Sequence, residues 1–102
     1  MTVQSLADER AFKWFHATVS LFGFIDPEAR GLAIYLTHTK HGASYNRVAA
    51  VTKLDPSTVS YWARRVEDKR DDTVLDLLLN AIELHFEHIS KHADRPAMVG
   101  VA

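Results

Sequence analysis

SYNRVAAVTKLDPSTVSYWARRVEDKR, residues 44–70, decides how the chain folds. Ser44 is a helix cap by chemistry, its hydroxyl able to take one of the first free backbone N–H groups, and Val48, Ala49 and Val51 supply the inward side of a short helix. That helix must stop before Asp55-Pro56, because proline disfavours helical backbone in the residue ahead of it. The same dipeptide starts the next one: Asp55 caps, and Pro56 sits where a missing N–H costs nothing. Val59, Trp62, Ala63 and Val66 then recur at helical spacing as an apolar stripe. Opposite it stand Ser57, Tyr61 and Arg64, flanked by Thr58, Ser60 and Arg65. Hydroxyls and guanidinium groups along one side of a helix, after a tight turn, are the equipment of a helix-turn-helix over residues 44–70 whose second helix reads the major groove.

Around this stretch the chain has 102 residues, 47% of them hydrophobic, which predicts one domain with its own core. Residues 1–93 are expected to be a single helical domain and residues 94–102, with Pro96 and Gly100, a flexible tail. The absence of cysteine excludes disulfides and thiolate metal sites. No leader opens the sequence and no apolar run nears the roughly 18 residues of a membrane span, so a cytoplasmic, nucleoid-associated protein is expected.

The net charge of −1 is unusual for a nucleic-acid binder, but its distribution is not. Residues 30–70 hold eight basic side chains against three acidic ones, and the rest of the chain four against ten. A positive middle between acidic flanks gives the local field that phosphate attraction needs.

Residues 6–22 predict a helix capped by Ser5 or Asp8, with a wide apolar arc of Ala11, Phe12, Trp14, Phe15, Val19 and Phe22, closed by Gly23. Asp26-Pro27 opens a second helix over residues 27–41, with Leu32, Ile34, Tyr35 and Leu36 turned inward. Arg30 lies in its first turn, where a cation opposes the helix dipole; an external anion would account for it, and so would the ordinary tolerance of a surface position. After Asp71-Asp72-Thr73 a last helix reaches residue 92. Its apolar residues fall on two sides, Leu75, Leu78, Leu79, Ile82, Phe86 and Ile89 on one and Val74, Leu77, Ala81 and Leu84 on the other, and the spacing predicts burial between two helices. His88 and His92 are four apart, but nothing completes a metal site, and no nucleophile–base pattern or phosphate loop occurs. Neither catalysis, nor a metal, nor a cofactor is expected.

ARGLAIYL at residues 29–36, followed by SYNRVAAVTKLDPSTVSYWARRVED, resembles the C-terminal (domain IV) DNA-binding domain of the bacterial replication initiator DnaA, over roughly residues 27–83. That family shows a PRQIAMYL-like helix, a short helix with a basic residue near its start, and a GRDHTTV loop. The resemblance implies an all-α fold of about five helices. It implies Arg30 in the minor groove, Arg47 near backbone phosphates, Asp55, Ser57 and Thr58 on the base-reading turn, and Tyr61 and Arg65 facing DNA. Where the family has arginine and histidine, this chain has Leu54 and Pro56, so a different target site is expected. The ATP-binding module and its Walker loop are missing, which implies a stand-alone module. Such modules are similar to the DNA-binding part of transcription activators of phage-like gene transfer agents.

The expected function is therefore sequence-specific binding of double-stranded DNA by a transcriptional regulator, an activator working with a partner. The helix of residues 56–70 enters the major groove, Arg30 the minor groove, and Arg47, Lys53 and Arg65 neutralise phosphates. Help is expected from a second copy through residues 74–89, or from RNA polymerase, a sigma-like factor or a DNA-bending protein. Two rivals stand beside this: a protein–protein interaction module that keeps the helix-turn-helix as scaffold, and a replication-initiation regulator competing for origin DNA.

Overall fold

In the computed structural model, which describes residues 2–92, the Asp55 carboxylate accepts the Ser57 N–H at 2.9 Å and Pro56 opens a helix, as the chemistry of the dipeptide requires. The described residues form five helices: α1 Val3–Leu21, α2 Glu28–Thr39, α3 Tyr45–Thr52, α4 Pro56–Lys69 and α5 Thr73–His92. The fold is all-α, as expected. The expected tail, residues 94–102, lies outside the described residues.

α2 is the axis of the molecule. Every residue from Gly31 to Thr37 is buried, so the helix is covered on all sides. Of the two hydroxyls in that run, that of Thr37 donates to the Ala33 carbonyl at 2.7 Å and that of Tyr35 to the Glu67 carboxylate. On one flank Leu32, Tyr35 and Leu36 meet Ala11, Phe15 and Val19 of α1, Val66 of α4, and Leu79 and Ile82 of α5. On the other, Ile34 meets Val48 and Ala49 of α3 and Val59 of α4. At Gly31 α2 leaves room for a side chain of α4: a Cβ there would collide with the Trp62 ring. α3 and α4 are joined by Lys53, which takes left-handed backbone at φ 59°, and by Leu54 and Asp55. Ser44 caps α3 through the Arg47 N–H at 3.2 Å.

Three expectations are corrected. α1 begins at Val3 under a Thr2 cap, not at residue 6 under Ser5 or Asp8, because Asp8 is drawn into the interior by partners on other helices. α2 spans Glu28–Thr39 with Pro27 as its cap, two residues shorter than expected at its end, and Gly42 turns the chain at φ 87°. α5 is covered on one side only: Leu79 and Ile82 are buried, whereas Val74, Leu77 and Leu84 face outward. α1, α2 and α4 close a core against a single side of α5, and among the described residues no helix covers the second.

Candidate nucleic-acid interface

α4 gives its apolar residues Val59, Ala63 and Val66 to the core, and this fixes what its other side presents. Ser57, Ser60, Tyr61, Arg64, Arg65, Asp68 and Lys69 line a surface groove there of about 560 Å³. The Tyr61 ring stands edge-on to Trp62, and the Arg65 guanidinium lies over Trp62 at 5.9 Å from its centroid. Trp62, wedged against Gly31, thereby sets the base on which both side chains rest. At the helix start Asp55 accepts both the hydroxyl and the N–H of Ser57, which hold its carboxyl below the usual range in that order. Thr58 follows, half-buried.

Charge is distributed more selectively than a count along the sequence suggests. Of the eight basic residues between 30 and 70, Lys40, Arg47 and Arg70 are in ion pairs. Among the described residues, Arg30, Lys53, Arg64, Arg65 and Lys69 are in none. Three of these five belong to the α4 groove. Ser60 and Lys69 join it although the resemblance gave them no role; the signal was in the spacing, since Lys69 follows Arg65 by four and Arg65 follows Tyr61 by four.

Arg70 is spent on structure. Its guanidinium donates to Asp76 at 2.6 Å, Asn80 at 2.6 Å, Tyr35 at 3.2 Å and Glu83 at 3.2 Å, clamping the end of α4 to α5 and α2. Burial works against its charge, but the bonds with Tyr35, Glu83 and Asp76 outweigh it and raise the pKa. Tyr35 in turn donates to Glu67.

Arg47, expected near backbone phosphates, is engaged within the chain. Its Nε donates to Asp8 Oδ2 at 2.9 Å and its Nη2 to Asp8 Oδ1 at 2.8 Å, a two-pronged pair that binds α3 to α1. Asp8 also meets His41 Nε2 at 2.8 Å and Gln4 Nε2 at 3.0 Å. The Arg47 hydrogen bond, above all, holds the Asp8 carboxyl well below the usual range against the opposing effect of burial. Geometry thus makes Arg47 a brace. With Lys53 it borders a second groove shared with Ser5, Asp8 and Glu9, separate from that of α4. The expected site residues are therefore brought together in part: Ser57, Tyr61, Arg64 and Arg65 share one surface, Arg47 and Lys53 another.

Arg30 lies in the first turn of α2, half-buried, its backbone N–H donating to Asp26 Oδ1 at 3.1 Å. Its Nε is buried and meets no hydrogen-bond partner. Among the described residues no group of three or more His, Asp or Glu could hold a metal ion, and no helix is long and apolar enough to cross a membrane. No family model, curated protein or solved structure matches the chain.

Proposed function

We propose that this chain is a double-stranded DNA-binding protein that regulates transcription, with α3 and α4 acting as its helix-turn-helix and α4 lying in the major groove. The observation that carries the proposal is the outward surface of α4, where Arg64, Arg65 and Lys69 stand beside Ser57, Ser60 and Tyr61 without an ion-pair partner among the described residues. A helix that neutralised its own cations would have little reason to attract phosphate; here the pairing is absent where a duplex would fit. The resemblance to the DnaA domain over residues 27–83 supports the same reading.

In this mechanism Ser57, Tyr61 and Arg64, nearer the start and middle of α4, approach base edges, and Arg64 can give a guanine two hydrogen bonds. Asp55 and Thr58 shape and flank the turn that meets the groove. Arg65, Lys69 and Lys53 neutralise phosphates and fix the register. Arg30 reaches the adjacent minor groove, where an anion relieves the unfavourable placement of a cation at a helix start. Arg47 acts through Asp8, holding α3 in place rather than touching the duplex. One such module offers a small contact area, so a promoter-bound partner, RNA polymerase, a sigma-like factor or a DNA-bending protein, completes the assembly.

Fluorescence anisotropy with a labelled random duplex tests this directly. Binding that weakens steeply with salt is expected, and its slope should fall by about one on Arg65→Ala. No binding to any duplex at low salt would overturn the proposal.

A further inference from the structure

The uncovered side of α5 has a regular grammar. Val74, Leu77, Ala81 and Leu84 are spaced by three, four and three residues, the a and d positions of a heptad. Val74 is 77% exposed, Leu77 63% and Leu84 68%. Isolated surface leucines need no explanation, but four apolar residues in a heptad seam, next to a helix side already buried in the core, do. A 3.5-residue repeat is what a partner helix running alongside reads, and among the described residues no helix packs on it.

Charge indicates which partner. α5 carries three carboxylates, and all are turned to cations of its own chain: Asp76 and Glu83 to Arg70, and Glu87 to Lys40. From Val74 to Leu84 the seam itself holds no charged residue. Two copies of α5 can therefore approach without opposing like charges, and each offers the other the same apolar spacing, as a two-fold interface demands.

We infer that the chain forms a homodimer through an antiparallel pairing of α5 with α5 of a second copy. Direction follows from size. Parallel pairing stacks Ala81 on Ala81, leaving a gap, and sets His88 and Lys91, the next two seam positions, against their own copies. Antiparallel pairing about Leu79 sets Val74 opposite Leu84 of the second copy and Leu77 opposite its Ala81, each layer matching a larger side chain with a smaller one. The seam is short. Patches of this kind run to roughly 300–600 Å², so two of them bury under about 1,200 Å², the low end for specific association. The dimer is accordingly weak, forming in the micromolar range or above.

Sedimentation velocity on the full chain without DNA, from micromolar to millimolar concentration, provides the test. The wild type is expected to pass from monomer to dimer. Val74→Glu and Leu84→Lys should each weaken association by at least about tenfold, since each puts an unpaired charge in the seam. The double variant Val74→Glu/Leu84→Lys should recover dimerisation, because antiparallel pairing sets Glu against Lys twice. Parallel pairing would set like against like. A wild type that stays monomeric throughout overturns the inference, and so does a double variant no better than the single ones. Should Val74→Glu disturb folding, as read by its urea midpoint, Ala81→Glu probes the same seam. No DNA is present, so failure here leaves the DNA proposal to its own assay, and the reverse.

Discussion

Replacing Arg47 separates a brace from a phosphate contact. In Arg47→Met the apolar stem remains while Asp8, 2% exposed, loses two of its four hydrogen bonds and its permanent countercharge, keeping only Gln4 and His41. Breaking a buried ion pair from one side costs about 3–5 kcal/mol. The Arg47 side chain is 39% exposed, so solvent already screens part of the attraction and the expected loss is about 2–3 kcal/mol. Asp8→Asn should cost less, about 1 kcal/mol, because the freed guanidinium can turn into water. The two changes should not add: the double variant leaves no buried charge unpaired, and a coupling of about 1–2 kcal/mol is expected. Urea unfolding followed by circular dichroism measures all four proteins, with midpoints shifting at constant slope. Duplex binding of folded Arg47→Met should keep the wild-type salt dependence. A variant with an unchanged urea midpoint, whose salt slope falls by about one, would refute the brace and restore the phosphate contact.

Acid should act through the same pair. The Asp8 carboxyl titrates at an ordinary 3.8 when unfolded and well below that when folded, so its stabilisation is full above that value and is lost as pH falls from about 4 through the folded pKa; Asp8→Asn should flatten stability against pH in that window. Gly31→Ala should destabilise by about 1–3 kcal/mol despite its better helix propensity, because the added Cβ meets the Trp62 ring; a higher melting temperature would show that the α2–α4 approach is looser than described here. Arg64→Ala should leave stability near wild type, since the side chain is exposed and has no ion-pair partner among the described residues, yet reduce discrimination at one base pair by about 1–3 kcal/mol; a site preference identical to wild type would remove Arg64 from base reading.

What the amino-acid order determined is local in reach. Ser44, Asp55-Pro56 and the Val59–Ala63–Val66 spacing act within four residues, the range over which a helix bonds to itself, so α3, α4 and the outward side of α4 were legible before any coordinates. Partners far apart in the chain were not. Asp8 and Arg47 lie 39 positions apart, and Arg70 and Tyr35 lie 35 apart, so nothing in the spacing of either pair marks them. Only the packing of α1 and α3 around α2 turned Asp8 from an ordinary first-turn acid into a buried anchor and gave Arg47 a partner within the chain. α5 shows the same division. Its two apolar sides were evident from the periodicity, but which of them the core would use, and that the other would remain uncovered, depended on how many neighbours the fold could place beside it. Periodicity is written residue by residue, whereas coverage is decided by the helices that arrive from elsewhere in the chain.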